Sequence, residues 1–249
     1  MKIPRVYVSR EHFSLECVTF PANVAHYIKN VLRLHIGDHI EVFDGDHLHG
    51  AKLKSVGTEI QGEIFSITDV SVHSDSDITL AFGCVRPGPF QQILRHGTEL
   101  GVNRFVPLIT RRTTRRPETK KSRWETILTS AVSQSGRFRM PEVEEPVKFD
   151  SFISEKMNQK NKYILSERVG ASPFWEVLQE ASGKNAIVLV GPEGGFDEYE
   201  EEIAIHSAFI PVRLSGNTLR TETAAIVGVG LATARFECFN KELRIKGAP

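Results

Sequence analysis

Two glycine-containing loops carry the residue types that best suit binding of a small molecule. Gly191–Phe196 reads Gly-Pro-Glu-Gly-Gly-Phe and follows the apolar run Ala186–Val190, and Leu214–Thr223 follows the apolar run Phe209–Leu214. Open α/β sheets bind ligands beyond the carboxyl ends of their strands, and glycine lets backbone N–H groups approach a ligand closely. We therefore expect both loops to line one binding site. A pair of ordinary strand-to-helix turns explains their position equally well.

The side chains of these loops limit the chemistry. The loops hold no cysteine or histidine nucleophile, and the chain has no P-loop, no Gly-x-Ser-x-Gly elbow and no His-Glu-x-x-His motif. Backbone groups, Arg220 and Glu222 remain, and such a set suits a cofactor that brings its own reactive group. Thr221 and Glu222 also fit a purely structural role, with Thr221 as the N-cap of the last helix and Glu222 in its first turn.

A second candidate site is a basic run at positions 111–123, where seven basic residues stand against one acidic residue. The whole chain has 31 basic and 31 acidic residues, so no overall field favours a polyanion. A run this unbalanced in a neutral protein predicts a loop that faces a polyanion, with threonine and serine hydroxyls adding phosphate contacts. A merely solvated loop is the alternative.

The composition excludes several classes of protein. With 249 residues, 40% of them hydrophobic, the chain suits one large or two modest globular domains. Its three cysteines lie far apart, which argues against a disulfide framework and a zinc site. His47 and His49 have no second cluster at ligand spacing, so we predict no metal. The chain shows no signal peptide or membrane-length apolar segment, so we expect a cytoplasmic protein without membrane contact.

The first part of the chain, residues 1–73, is predicted to be a small β-rich domain. Short strand-like segments separated by glycine- and aspartate-containing turns are typical of a small barrel. One helix is predicted at Asn23–Leu34 from its apolar periodicity, and the polar stretch Val72–Asp77 is predicted to be a linker. The expected strands are Val6–Val8, Ile40–Phe43, Ala51–Leu53 and Glu63–Ile67.

Residues 74–249 alternate strands with helices, which predicts an α/β domain with a parallel sheet. Asp197 and Glu200 have the spacing of a capping box. The last helix, from Thr223 to about Phe239, is apolar nearly all round and must be covered by its own sheet or by a partner subunit. The other expected elements are strands at Ile78–Cys84, Arg104–Ile109, Tyr163–Leu165, Ala186–Val190 and Phe209–Leu214, and helices at Phe90–Leu100, Trp124–Ser135 and Pro173–Ala181.

Motifs distributed in order over essentially the whole chain resemble those of one family. They are Ile3–Tyr7, Val31–Leu34 with Phe43–Gly45, Thr98–Val102, Gln134–Arg137 with Pro141, Gly191–Gly195 and Leu219–Ala224. The last two motifs are specific in combination. With these residues the chain resembles the RsmE-type 16S ribosomal RNA (uracil-N3) methyltransferases of the SPOUT class.

The resemblance implies a fold and an activity that the spacing of residues did not give. Residues 74–249 would form a SPOUT-type α/β domain with a deep trefoil knot whose loops hold S-adenosylmethionine, and residues 1–73 a PUA-like RNA-binding β-barrel. Such proteins act as homodimers with the active site near the subunit interface. The substrate would be the N3 atom of one uridine near the 3′ end of 16S rRNA in the small ribosomal subunit.

The resemblance and the residue types together assign roles to individual side chains. We expect Arg220 to stabilise negative charge on the uracil oxygens and Glu222 to act as the base, with a water molecule or Glu99 as equally good candidates for the base. The expected cofactor-binding residues are Leu165, Gly191, Pro192, Glu193, Gly194, Gly195, Leu214, Ser215, Gly216, Asn217, Leu219 and Thr221. The expected RNA-binding residues are Arg5, Arg33, Arg95, Arg111, Arg112, Arg115, Arg116, Lys120, Lys121, Arg123 and Arg137.

One departure from the family pattern and two rival functions stay open at this stage. The family commonly has lysine just before the segment that matches 97–101, where this chain has Arg95-His96. A change there affects the strength of RNA binding more than the class of reaction. The rivals are a non-catalytic RNA-binding or assembly factor, and another nucleotide-dependent enzyme. The second rival would need a P-loop lysine and metal-binding carboxylates at the loops, and this chain lacks both.

Overall fold

The structure is a computed structural model that describes residues 3–56, 59–69, 76–114, 121–155, 159–168 and 170–238. The chain forms two compact units, one of Met1–His73 with Glu125–Met140 and one of Ser74–Trp124 with Pro141–Pro249. Each unit has its own buried apolar cluster. Most of the predicted linker, residues 72–75, lies outside the described residues.

The N-terminal unit is built on a mixed sheet with five strands. Its order is β1-β3-β4-β5-β2, with β1 and β3 parallel and the other neighbours antiparallel. The four strands predicted here are confirmed, whereas β2 was not predicted from the sequence. The strands are β1 (Arg5–Tyr7), β2 (Cys17–Phe20), β3 (His39–Phe43), β4 (His47–Val56) and β5 (Ile60–Asp69).

One face of this sheet is covered by a short helix that changes its winding partway. Helix α1 (Ala22–His26) continues as a π-helical turn over Tyr27–Val31. Because a π-turn is wider than an α-turn, the predicted apolar stripe does not continue. Ile28 is fully buried but Val31 is 59% exposed. The predicted helix is thus confirmed only as far as Val31. Val24 and Ile28 of the helix share one buried cluster with Val6, Val8, Val18, Phe20, Ile40, Val42, Ala51, Leu53 and Ile60.

The turn between β3 and β4 is organised by the buried carboxylate of Asp44. Its Oδ1 accepts the backbone N–H groups of Asp46 at 2.9 Å and His47 at 2.7 Å. Burial acts to raise the pKa of Asp44, but these hydrogen bonds and those from the rings of His49 and His47 outweigh it and lower the pKa from 3.8 to about 2. The ionised carboxylate therefore stabilises the folded state.

Acid should remove this stabilisation. A pKa that is lower in the folded state gives stability that is complete above the unfolded pKa and is lost as pH falls from about 4 to about 2, with a total of about 2 kcal/mol. We expect Asp44→Asn to lower the free energy of unfolding by that amount at neutral pH and to flatten its dependence on pH in this range. Denaturant titrations at stepped pH would measure both effects. The exposed neighbour Asp46→Asn is the control, and equal acid sensitivity in Asp44→Asn and the parent chain would contradict the assignment.

The C-terminal unit contains a sheet in which every pairing is parallel. Its order is β11-β13-β10-β12-β6-β7-β8, and β9 also pairs with β7. The predicted parallel sheet is confirmed, although the two-residue strands were not predicted. The strands are β6 (Asp77–Gly83), β7 (Arg104–Ile109), β8 (Glu142–Val143), β9 (Val147–Lys148), β10 (Lys162–Leu165), β11 (Ser172–Pro173), β12 (Asn185–Val190) and β13 (Ile210–Arg213).

Among the described residues, six further α-helices follow, and the last continues as a π-helical segment over Ala234–Cys238. They are α2 (Pro87–Glu99), α3 (Lys121–Ser135), α4 (Phe149–Glu155), α5 (Phe174–Gln179), α6 (Glu198–His206) and α7 (Thr221–Thr233). Two of these correct the sequence analysis. Helix α4 was not predicted, and α3 begins three residues before Trp124, so the end of the basic run is helical rather than part of a loop. None of the described helices is long and apolar enough to cross a membrane.

The start of α6 confirms the predicted capping box. Asp197 Oδ1 accepts the backbone N–H of Glu200 at 2.8 Å, and Glu200 Oε2 accepts that of Asp197 at 3.0 Å. Each side chain thus satisfies a backbone donor that has no partner within the helix. Glu200 is only 1% exposed, and its other oxygen accepts the backbone N–H of Arg111 at 2.7 Å. The capping box therefore also anchors the first residue of the basic run.

Helix α7 begins earlier than its apolar pattern predicted. Arg220 is the N-cap residue and makes no capping hydrogen bond through its side chain, while Thr221 is the first helical residue and is buried. The prediction that Thr221 is the N-cap was therefore wrong. The helix packs on β6, β12, α2 and α5. Gly228 makes this approach possible, since a Cβ there would lie 3.1 Å from Leu165 Cδ1.

Candidate active site

The parallel sheet brings three loops to one edge. Strand β10 lies between β12 and β13, and all three run in the same direction. The segments that follow them, 166–168, 191–197 and 214–220, therefore emerge at the shared carboxyl edge. This is the position at which open α/β sheets bind ligands. The expectation that the two glycine-containing loops lie at one edge agrees with this topology.

The loop after β12 is a tight turn that leaves no room for a side chain at its first residue. The backbone N–H of Gly195 donates to the carbonyl of Pro192 at 2.8 Å. A Cβ on Gly191 would lie 3.0 Å from Gly195 Cα and 3.0 Å from the amide nitrogen of Phe196. Gly195 itself has φ of +69°, a conformation that favours glycine. The glycines thus serve the fold of the loop, and Glu193, Gly194 and Gly195 remain exposed.

The end of β6 packs against this loop, a contact that was not predicted from the sequence. A Cβ on Gly83 would lie 2.4 Å from the nitrogen of Pro192 and 2.5 Å from its Cδ. Pro192 is buried at this contact. No local pattern indicates the need for glycine at position 83, because the constraint comes from a loop more than a hundred residues later in the chain.

Two arginines hold the exposed part of the same loop. The backbone N–H and Nε of Arg86 both point to Glu193 Oε1, at 3.4 and 3.2 Å. Nη1 of Arg112 donates to the carbonyl of Gly194 at 2.9 Å. Arg112 was predicted to bind RNA, and Arg86 was not predicted to act at all. Both link the loop to segments that follow other strands of the sheet.

Arg111 is likewise directed toward the start of α6. Its guanidinium lies 3.8 Å from the ring centroid of Tyr199 and 3.5 Å from the carboxylate of Asp197. A cation above an aromatic face is stabilised by about 0.5–1 kcal/mol at an exposed site. The first two arginines of the basic run therefore contact the glycine-containing loop and the helix that follows it.

Arg112 gives a prediction that separates cofactor binding from RNA binding. Replacing it with alanine removes the hydrogen bond to Gly194 and should weaken binding of S-adenosylmethionine by roughly three- to tenfold, because a charge-assisted bond at an exposed site contributes on the order of 1 kcal/mol. Titration calorimetry would measure the change. Arg95→Ala is the matched control, since Arg95 is exposed on α2 and is expected to affect RNA affinity alone. Unchanged cofactor affinity in Arg112→Ala would show that the bond does not hold the loop.

The segment after β10 connects helix α6, which follows the first glycine-containing loop, to the loop after β13. Ser166 Oγ donates to Glu201 Oε1 on α6 at 3.1 Å, and Arg168 forms an ion pair with the same carboxylate. On the other side, Thr218 Oγ1 donates to Glu167 Oε2 at 3.1 Å. From the end of β10 and the segment after it, the sequence predicted only Leu165 as a site residue and did not indicate these polar residues. These contacts join residues that are far apart in the chain, so no local sequence pattern indicates them.

The loop after β13 is open and leads directly into α7. Residues 215–218 are exposed, and Ser215 Oγ accepts the backbone N–H of Asn217 at 3.0 Å. Leu214 and Leu219 are half-buried. The exposed guanidinium of Arg220 has no hydrogen bond or ion pair to the part of the chain that the structure describes. It is therefore available to a bound substrate.

The two side chains that are candidates for the base, beside a water molecule, differ in their surroundings. Glu222 lies in the first turn of α7 and is half-buried. Glu99 is already engaged, since its Oε2 lies 3.0 Å from Nδ1 of His96. His96 is one of the two residues at which this chain departs from the family pattern. The pairing favours Glu222 over Glu99.

The remaining residues predicted to bind RNA fall into both units. Arg5 is paired with Glu41 at 2.7 Å in the N-terminal unit, and Arg33 is exposed there with φ of +53°. Arg137 is half-buried in that unit, and Arg123 is exposed in the other. Arg115, Arg116 and Lys120, with the side chain of Lys121, lie outside the described residues.

Comparison with known proteins finds a separate family match for each part of the chain. Residues 73–233 match the RNA methyltransferase domain family and residues 20–72 the RNA methyltransferase PUA domain. A relative from Synechocystis sp., named Ribosomal RNA small subunit methyltransferase E, is 32% identical over 94% of this chain and 78% of its own length. The chain belongs to the ribosomal RNA small subunit methyltransferase E family. The resemblance stated from its motifs is therefore confirmed.

Solved structures of methyltransferase E relatives share the fold. The protein of that name from Neisseria gonorrhoeae is 30% identical, with a TM-score of 0.80 over 94% of this chain and 97% of that chain. A methyltransferase structure from Legionella pneumophila has a TM-score of 0.84 at 26% identity, over 94% of this chain and 98% of that one. Both were solved with bound S-adenosylmethionine. The α/β class and its parallel sheet are shared with cofactor-bound methyltransferases.

Proposed function

We propose that this protein transfers a methyl group from S-adenosylmethionine to N3 of one uridine in 16S rRNA of the small ribosomal subunit. The observation that carries the proposal is the group of three loops at the carboxyl edge of the parallel sheet, in a chain of the methyltransferase E family. Arg86, Arg112, Glu167 and Glu201 tie these loops to one another or to neighbouring segments. Because the proposed substrate is ribosomal RNA, we place its action in the cytoplasm.

The residues at this edge suit the proposed cofactor. Gly191, Gly194 and Gly195 present backbone without side chains, and Arg86 holds the one charged side chain of that loop at its carboxylate. Half-buried leucines offer apolar surface at the other two loops. S-adenosylmethionine supplies the electrophilic methyl group on its sulfonium. The residues proposed to hold it are Leu165, Gly191, Pro192, Glu193, Gly194, Gly195, Leu214, Ser215, Gly216, Asn217, Leu219 and Thr221.

The finer architecture belongs to the same proposal. We infer a deep trefoil knot in the C-terminal domain, supported by a sheet order in which the later strands β12 and β13 flank the earlier β10. We place the domain boundary at 73/74 and give residues 1–73 a PUA-like barrel, supported by the family match to residues 20–72. A homodimer is supported by α7, where Val227 is 41% exposed on a helix made almost entirely of apolar residues.

The residues at the mouth of the site suggest how the uracil reacts. Uracil N3 carries a proton at neutral pH and becomes a good nucleophile only when that proton leaves. In the proposed mechanism Glu222 accepts the proton, and the unpaired guanidinium of Arg220 stabilises the charge that develops on the uracil oxygens. The loops hold the methyl group in line with N3, an effect that contributes up to roughly 7–11 kcal/mol in the best cases. Exposed arginines such as Arg33, Arg95 and Arg123 would contact RNA phosphates.

Two measurements, made one after the other, test the proposed function. Calorimetric titration with S-adenosylmethionine, with ATP as the control ligand, should show binding of the methyl donor alone. The protein is then incubated with the donor and either free 16S rRNA or assembled small subunits. Methylation at N3 blocks the base-pairing edge, so reverse transcriptase should stop at one uridine. Binding of ATP instead, or donor binding without a stop on either RNA substrate, would overturn the proposal.

A further inference from the structure

A cluster of metal-ligating side chains lies in the N-terminal unit and includes none of the residues assigned above to the cofactor, to catalysis or to RNA. It consists of Asp44 in the β3–β4 turn and of His47 and His49 at the start of β4. One ligand atom from each residue lies within 4.8 Å of the other two. Asp44 Oδ2 is 3.3 Å from His47 Nδ1 and 3.4 Å from His49 Nε2.

These distances match the edges of a coordination shell better than they match strong hydrogen bonds. Hydrogen bonds from imidazole to carboxylate are usually about 2.7–2.9 Å long when the pair is charged. A tetrahedral zinc ion bonded at about 2.0–2.2 Å to nitrogen and oxygen holds its ligand atoms about 3.3–3.6 Å apart. The spacing on both sides of Asp44 Oδ2 falls in the second range.

The surroundings of the cluster orient its ligand atoms toward one another. The two backbone N–H groups of the turn bind Asp44 Oδ1, so Oδ2 is the oxygen that faces both rings. His47 Nε2 lies 3.4 Å from Asp69 Oδ1, and a carboxylate on the far nitrogen of a histidine is the usual outer partner of a metal ligand. His49 is 7% exposed, and its ring lies against Phe13 at 4.5 Å between centroids.

One cation already competes for the same carboxylate. Nε of Arg10 is 3.5 Å from Asp44 Oδ2, and the same guanidinium forms an ion pair with Asp46. The side chain of Arg10 is 58% exposed, so it can keep its contact with Asp46 when an ion binds Asp44. Metal binding therefore requires the displacement of an exposed side chain from Asp44.

We propose that Asp44, His47 and His49 form a binding site for a divalent transition metal ion, with Zn²⁺ as the probe and water completing its coordination. Two imidazoles and one carboxylate are a donor set that suits zinc. The site would tie the β3–β4 turn to the first residues of β4. The sequence predicted no metal because His47 and His49 have no second histidine or cysteine cluster at ligand spacing. The third ligand is a carboxylate three residues before His47, within the same turn.

The test uses untagged full-length protein that has been stripped with a chelator and dialysed. Calorimetric titration with ZnCl₂ should show about one ion per chain, and Co²⁺ should give the intense visible absorption of a four-coordinate site. Asp44→Asn and His47→Gln should each weaken binding by at least about a hundredfold, and Asp69→Asn by about 10–100-fold. His35→Gln is the matched control, since His35 is 87% exposed with Asp38 at 3.8 Å, and its variant should bind zinc as the parent does.

The outcomes separate clearly. Absence of saturable zinc binding in the folded parent protein would overturn the proposal, and so would binding that survives unchanged in His47→Gln. His47 is partly exposed, so this variant should fold even if Asp44→Asn does not. Circular dichroism of each variant checks the fold. The result is independent of the methylation assay, because none of these side chains is assigned a role in methyl transfer.

Discussion

Replacing Arg220 with alanine should lower the rate of methyl transfer by about 10²–10³-fold. Arg220 is the N-cap residue of α7, is exposed and has no partner among the described residues, so its charge is free to act on the substrate. The interaction of Arg220 with the substrate is expected to strengthen as negative charge develops on the uracil oxygens. The substitution should therefore lower kcat more than it raises KM. Single-turnover assays at saturating S-adenosylmethionine would measure the chemical step.

The matched control for this experiment is Arg213→Ala. Arg213 is also an exposed arginine and lies close to Arg220 in the sequence, at the end of β13, but it has no assigned role in catalysis. Cofactor affinity should stay nearly unchanged in both variants. Arg220→Lys should recover part of the rate, because it restores the charge but not the planar fork of donors. A wild-type rate in Arg220→Ala would remove Arg220 from the mechanism.

The second large effect is expected from Gly83→Ala. The added methyl group would lie 2.4–2.8 Å from three atoms of Pro192, which is closer than non-bonded atoms can approach. Either β6 or the loop after β12 must move, and overpacking of this kind costs about 1–3 kcal/mol. We expect the loop to move, because its exposed residues pack less tightly than the strand. Affinity for S-adenosylmethionine should then fall by about tenfold or more, as measured by calorimetry.

Gly88→Ala provides the control for the glycine substitution. Gly88 lies in the first turn of α2, and a Cβ there would meet nothing within 4 Å. This variant should bind the cofactor as the parent does and should be as stable or slightly more stable. Thermal unfolding of both variants distinguishes loss of the loop from loss of the fold. A fully stable Gly83→Ala protein with parental cofactor affinity would show that the contact does not position the loop.

The sequence predicted those features that depend on neighbouring residues. The apolar run Ala186–Val190 became a buried strand, because a strand covered on both faces needs no polar alternation. Asp197 and Glu200 formed the expected capping box, whose hydrogen bonds span three residues. Helix α4 was missed although Phe149, Phe152 and Ile153 are buried on it at helical spacing, since a helix of only seven residues gives a weak periodic signal.

Features that depend on distant residues were not predictable from the sequence alone. The contact between Gly83 and Pro192 and the bond from Arg112 to Gly194 exist only because strands β6, β7 and β12 emerge at the same edge. Thr221 was assigned as the N-cap on residue type, but the helix begins at that residue and places Arg220 at the cap. The side-chain roles at the site thus follow from strand order, which no local pattern encodes.

The strand order also has a consequence for how the chain reaches its native state. Ala186 on β12 pairs with Ile78 on β6, 108 positions earlier, and these are central strands of the sheet. Closing a segment of that length costs roughly 4 kcal/mol of chain entropy before any pairing compensates it, and parallel pairings between distant strands fold slowly. The site edge therefore forms late, after synthesis has passed residue 190. Refolding should therefore be slow.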